Sequence, residues 1–214
     1  MNDQNLVFIN KNQDMFICPI LPIKGNQSQT QLKQIGTKVD SALWNDRFNV
    51  LISIADSNMV IYYIPDAIFI DRELFEMAKE TKDASEFGIS GRITSFTGTK
   101  VILERSCDRA SLSKMIIPFI NPLYNALDKN KWKKALKLCR FVEIPQLWAT
   151  LAVVALRHRE LEVVQTSLAA INMVDKFQHI KRIRAIKDKE VMGIIIDIMS
   201  CNFNMREMSS IISP

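Results

Sequence analysis

Lys131-Trp132-Lys133-Lys134-Ala135-Leu136-Lys137-Leu138-Cys139-Arg140-Phe141-Val142-Glu143-Ile144-Pro145-Gln146-Leu147-Trp148-Ala149-Thr150-Leu151-Ala152-Val153-Val154-Ala155-Leu156-Arg157 is the stretch whose reading decides the fold. Trp132, Ala135, Leu136, Cys139 and Val142 recur at steps of three and four, which sets them on one helical stripe, while Lys133, Lys134, Lys137 and Arg140 fall outside it. Pro145 reads as the break, since proline lacks an amide donor and biases the preceding residue away from helix. A second segment, apolar nearly all round, then runs from Leu147 to Leu156 and reads as a buried helix. So short a connection makes the two helices antiparallel, and Trp132, Cys139, Trp148 and Leu151 are expected to share one interior. A helical hairpin of this kind is the unit of an α-solenoid.

Beyond Arg157 the pairing continues. Leu161, Val164, Leu168 and Ile171 share a stripe, Asp175 is expected to cap a helix over 177–186, and 190–201 makes another with Val191, Ile194, Ile195 and Ile198 inward. Asn202 to Pro214 reads as a turn and one more short helix. Helical pairs that cannot each close a core must stack, so 119–214 is expected to be an α-solenoid of the tetratricopeptide kind in shape, without that repeat's strict motif.

Upstream the period is two, not three and a half. Leu6 to Ile9 and Met15 to Ile20 flank a polar turn and read as a hairpin, followed by a polar loop and the run Leu32 to Ile35. Val39 to Trp44, Val50 to Ala55, Met59 to Ile64 and Ala67 to Ile70 are then four short strands in about forty residues, the period of a propeller blade. Arg72 to Phe87 reads as a charged connector with a helical turn at Leu74 to Ala78. Arg92 to Phe96, Lys100 to Arg105 and Ser111 to Ile117 form a second, three-stranded group. The expected fold is α+β and multidomain: a partial antiparallel β-propeller over 1–118, then the α-solenoid over 119–214. A ring needs at least about four blades, so the strands of 1–118 are expected to leave it open and its edges prone to pairing with other chains.

Composition narrows the function. The 214 residues are 48% hydrophobic and 24% charged, an ordinary globular balance. The whole of the +5 formal charge lies beyond residue 120. Cys18, Cys107, Cys139 and Cys201 are widely spaced, so neither a zinc site nor a disulfide framework is read and a reducing compartment is expected. No signal peptide or membrane span is read. His158 and His179 lack a partner at short spacing, and Gly88-Ile89-Ser90-Gly91 lacks the spacing and the Lys-Ser/Thr of a phosphate loop. No catalytic residue, cofactor, metal or small-molecule substrate is therefore expected. Trp44, Trp132 and Trp148 read as core residues. In His179 to Lys187 the isoleucines Ile180, Ile183 and Ile186 are spaced by three with Lys181, Arg182, Arg184 and Lys187 between them. That is either a solvated helix face or a surface for an anionic partner. No interleaved aromatics accompany it, so nucleic acid is not expected.

Trp44-Asn45-Asp46 with Asn49-Val50-Leu51, Tyr62-Tyr63-Ile64-Pro65 leading to Phe69-Ile70-Asp71-Arg72-Glu73-Leu74, Asp83-Ala84-Ser85-Glu86-Phe87, and Leu138-Cys139-Arg140-Phe141-Val142 with Trp148-Ala149 together resemble the eighty-kilodalton WD-repeat subunit family of the intraflagellar transport B complex. Asp175-Lys176 and Ile180 fit the same pattern, and the likeness runs from about residue 33 to about 190. The hairpin alone is also similar to coatomer and other transport subunits. The resemblance implies the end of a second propeller followed by a helical extension. It implies a structural subunit of ciliary transport particles, found at the cilium, the basal body and in a cytoplasmic pool. Its implied partners are other complex B subunits and, through the helical half, a second copy. A calponin-homology partner, which docks on the family's first propeller, is not expected here. Tyr62 and Tyr63 stand where a regular repeat closes with Trp-Asp. A vesicle-coat subunit, and a basic module for anionic membrane or nucleic acid, are the alternative readings.

Overall fold

The structure is a computed structural model and describes residues 5–20, 32–84, 92–105, 108–115, 119–186 and 188–200. Cys107, Cys201, the glycine pair 88 and 91, Lys187 and the helix expected after residue 202 lie outside the described residues. The architecture is a run of antiparallel sheets followed by paired helices. The chain forms two compact units, one of residues 1–65 with 79–121 and the other of 66–78 with 122–214.

Among the described residues the sheet unit holds three sheets. In the first, β1 (Asn5–Ile9), β2 (Met15–Pro19) and β3 (Lys33–Gly36) lie side by side, with Phe8 opposite Phe16 and their rings stacked at 5.6 Å. The hairpin turn is closed by Asn10, whose side-chain oxygen accepts from the amides of Asn12 and Asp14, each at 2.8 Å. The second sheet is β4 (Val39–Trp44), β5 (Leu51–Ala55), β6 (Asn58–Tyr62) and β7 (Lys79–Asp83), in that order. Leu51 through Ile54 are all buried, because β5 is covered on both faces and needs no alternation. Asp56 and Ser57, both with positive φ, make the two-residue turn whose twist matches the flanking strands. The third sheet is β8 (Arg92–Thr97), β9 (Lys100–Glu104) and β10 (Ser111–Met115).

One strand is not where the apolar pattern put it. Ala67 to Ile70, expected as the fourth strand of the blade, lies in and just after a 3-10 turn over Pro65–Phe69, and α1 (Arg72–Met77) follows. Asp71 caps α1, its carboxylate accepting from the Leu74 amide at 2.8 Å. The fourth strand is β7, Lys-Glu-Thr-Lys-Asp, inside the expected connector. It carries no apolar residue because it is the edge strand, where charge discourages pairing with other chains.

The helical unit contains α1 and the helices α2 (Ile120–Leu127), α3 (Trp132–Val142), α4 (Pro145–Arg157), α5 (Leu161–Ala170), α6 (Val174–Arg184) and α7 (Lys189–Ser200), although α2 begins two residues before the boundary. α4 is the centre: nine of its residues from Leu147 to Leu156 are buried, and α1, α3, α5 and α7 pack around it. Pro145 does not end α3; it begins α4 at a position whose amide would have no partner anyway. α3 ends instead at Glu143, which takes the left-handed conformation (φ 56°).

The connections repeat. After α2, α4 and α5 a left-handed residue, Asn130, Arg159 and Asn172, is followed by one whose amide reaches back five residues: Lys131 to Ala126 at 2.8 Å, Glu160 to Ala155 at 2.9 Å, Met173 to Leu168 at 3.0 Å. The left-handed residues bond to Leu127, Leu156 and Ala169 at 2.9, 3.0 and 3.2 Å, completing a Schellman cap each time. Helix 6 starts earlier than expected, with Met173 at its cap and Asp175 in its first turn. In α7, Gly193 and Ile196 face inward while Val191 and Ile194 are 43% and 59% exposed, which corrects the expectation for those two; Ile195 is half-buried and the side chain of Ile198 lies outside the described residues.

Candidate functional site

In the sheet unit the turn after β4 is a polar knot. Asn45 is buried; its side-chain oxygen accepts from the amides of Arg47 and Phe48 at 3.0 and 3.1 Å, and its side-chain amide donates to the Gly98 carbonyl at 2.8 Å. Asp46 accepts from the Gly98 amide at 2.9 Å and sends its own amide to Phe96 at 3.2 Å. Gly98 has φ 58°, so the turn it makes is one that a side chain would strain. These bonds fasten the second sheet to the third. Trp44, beside the knot, is half-buried.

Tyr62 and Tyr63, at the end of β6, each make a hydrogen bond through the hydroxyl. The Tyr62 hydroxyl donates to the Ile35 carbonyl at 3.2 Å, tying the second sheet to the first, and Tyr63 donates to Glu80 on β7 at 2.7 Å. Burial, reinforced by the Glu80 carboxylate, pushes the Tyr63 phenol well above its ordinary range.

In the helical unit the short segment 66–78 is held by ion pairs in which Asp66 and Lys176 are buried. Asp66, 2% exposed, accepts from the Arg157 guanidinium at 2.9 Å. Lys176, also buried, reaches both the Asp71 carboxylate and Glu73, the latter at 2.7 Å. Tyr124 is buried beside the first pair, and burial, then the Asp66 charge, raise its phenol despite the opposing Arg157. Removing Arg157 or Lys176 strands a largely buried carboxylate of Asp66 or Asp71, at a cost of up to about 3–5 kcal/mol, whereas the exposed Glu73 adds little. Sequence reading missed this clasp. Asp66 and Arg157 are 91 residues apart, Asp71 and Lys176 are 105 apart, and only the Asp71 cap has a local signal.

The structure brings some of the sequence-selected core residues together. Cys139, Trp148 and Leu151 are buried, whereas Trp132 is half-buried and meets the His158 ring edge-on at 5.4 Å. That contact joins the start of α3 to the end of α4, as an antiparallel pair requires. Burial pushes the Cys139 thiol up to about 12, so it stays protonated and unreactive at neutral pH. Burial, then Arg182, lower His179 below its ordinary value, and its Nε2 is buried with no partner among the described residues.

Of the basic set on α6, Lys181, Arg182 and Arg184 are exposed. Arg184 is already bonded to Glu162, at 2.8 Å, and to Gln165 on α5. Lys187 lies outside the described residues. Among the described residues no three His, Cys, Asp or Glu side chains gather as a metal site, and no helix is long and apolar enough to cross a membrane.

Residues 1–119 match the family model of the IFT80 second beta-propeller, and residues 147–208 match that of the IFT80/172/WDR35/WDR19 TPR domain. The chain is 31% identical over 206 residues, 96% of its length, to the intraflagellar transport protein 80 homolog of Mus musculus, and 29% identical over 211 residues, 99% of its length, to that of Rattus norvegicus. It spans 26% of the length of each of these curated relatives. Sheets tied by polar turns, capped helices beyond them, and the two family models in that order agree: the chain belongs to the IFT80 family.

Proposed function

We propose that the chain is a structural scaffold subunit of the intraflagellar transport particle, complex B, and that it supports cilium assembly through protein contacts and without catalysis. The observation that carries this reading is colinearity: a second-propeller match over 1–119 followed by a helical-repeat match over 147–208. The Cys139 thiol, buried in the α3–α4 interior and held protonated, fits a packing role. Other complex B subunits are the partners, and a second copy associates through the helical unit. Lys181 and Arg182 offer a cationic surface to such partners, beside Arg184, which is bonded to Glu162 and Gln165, and Trp44, Trp132, Cys139, Trp148 and Leu151 serve packing. The protein works at the cilium and basal body, with a cytoplasmic pool.

A tagged chain expressed in ciliated cells tests the reading. Complex B subunits should co-precipitate with it and the tag should enter the cilium; co-precipitation with Golgi coat components and exclusion from the cilium would overturn it. Light scattering tests self-association separately: mass should rise toward a dimer with concentration, and a monomer throughout would remove that part alone.

A further inference from the structure

α3 is divided lengthwise. At 3.6 residues per turn, Arg140, Lys133, Lys137, Phe141 and Lys134 fall in that order around about one third of the helix circumference. All five are exposed, and Ala135 and Cys139 on the opposite side are fully buried. α3 contains no acidic residue. Among the described residues none of its four outward cations is in an ion pair; Arg72 on α1 and Lys181 and Arg182 on α6 are likewise unpaired, whereas Arg157, Lys176 and Arg184 are paired. Glu143, the nearest carboxylate in sequence, sits past the helix end and pairs with none of them. Phe141 lies within this cationic arc at 84% exposure, the highest of any large apolar side chain described. Solvation alone accounts for the cations, and a single exposed apolar side chain is ordinary on a surface; what sets Phe141 apart is its place inside an arc of four cations with no acidic residue on the helix.

We propose that this face docks an acidic segment of a partner protein, with one apolar residue seated on Phe141 and carboxylates flanking it to meet Lys133, Lys137 and Arg140. Lys133 and Lys137 are one turn apart, about 6 Å along the axis, which matches carboxylates at the same spacing on a partner helix. Arg140 adds a planar fork suited to a carboxylate. An anionic membrane fits less well, because the apolar side of α3 is already spent inside the unit and one ring remains to insert. Single-stranded nucleic acid would be met by successive aromatics, and here there is one. The inference rests on one helix face and is independent of the transport reading.

A random peptide display library panned on the 214-residue chain tests it, with counter-selection on a Phe141→Ser/Lys137→Glu variant. Both positions are exposed, so the variant should keep the parent melting curve. Selected peptides should be rich in Asp and Glu around one large apolar residue. The leading peptide, followed by fluorescence anisotropy, should bind more weakly as salt rises, about tenfold more weakly to either single variant, and unchanged to Lys11→Glu in the sheet unit. Failure to enrich acidic peptides over the counter-selection would overturn the proposal. So would binding that ignores Phe141→Ser, or tighter binding to phosphatidylserine vesicles or polyuridylate that the same substitutions abolish.

Discussion

The two units solve the same problem, where to put unpaired backbone groups at the ends of their elements, by opposite means. The sheet unit uses side chains: Asn10, Asn45 and Asp46 each close a turn, and Asn45 and Asp46 also reach across to the neighbouring sheet. The helical unit caps α1 with the Asp71 side chain but closes its later helices with the backbone itself, with the same Schellman geometry after α2, α4 and α5. A sheet turn of this kind depends on one residue and binds elements far apart in sequence. A backbone cap asks only for a tolerable left-handed residue and binds its neighbours alone. Damage should therefore be sharp and residue-specific in the sheets, and should follow buried volume in the helices.

The strongest way to break the comparison on the helical side is Trp148→Ala. Emptying the site of a buried indole costs about 3–5 kcal/mol, a large part of a domain's stability, so the helical signal in circular dichroism should melt far below that of the parent. A change within a degree would refute the packing of α4.

On the sheet side Asn45→Ala should cost about 2–3 kcal/mol, because it strands the Gly98 carbonyl and the amides of Arg47 and Phe48 at once. Chemical denaturation should show the loss, and Asn45→Asp should recover only the part carried by the two accepted bonds.

How much of this was legible depended on where each signal lay in the chain. The α3–α4 hairpin could be read because its periodicity and its proline are local, although Pro145 opens α4 and does not close α3. β7 could not, because an edge strand of alternating charge has the pattern of a connector; the apolar run Ala67 to Ile70 took its place in the reading. Helix ends were blurred because Asn130, Arg159 and Asn172 do the work usually given to glycine. In α7 a nearly unbroken aliphatic run, Ile194 to Ile196, left the inward face undetermined by period. Of the site, Tyr62 and Tyr63 stand out in the sequence as a departure, but their bonds to Ile35 and Glu80 carry no local signal. The clasp of Asp66, Asp71 and Glu73 on Arg157 and Lys176 joins residues too distant for any local pattern.

A gentler test bears on the caps. Asn172 is exposed, so Asn172→Val removes no packing and should cost only the strain of a β-branched residue in the left-handed region, about 1–2 kcal/mol; Asn172→Gly should be neutral or slightly stabilising. Thermal melts of the two variants give the difference.

The smallest effect is one of pH. Both histidines lie in the helical half, and His179 is held below its ordinary value. The unfolded chain therefore binds the proton more readily than the folded one, so the contribution is fully present above the unfolded value of about 6.5 and is lost as pH falls toward the lower folded value. Helical melting temperature should drop on acidification through that window, and His179→Gln should remove that part of the slope.

The central claim is that residues 66–78, lying between two strands of one sheet in sequence, belong physically to the helical unit. Hydrogen exchange on the Trp148→Ala chain tests it directly, read at the amides of Phe75 and Ala78, which are bonded to Asp71 and Leu74. The account predicts that these amides lose protection together with α4 and α5 while Ile52 and Ile54 in β5 keep theirs. If Phe75 and Ala78 stay protected with β5 while the helices open, the segment belongs with the sheets and the account is wrong.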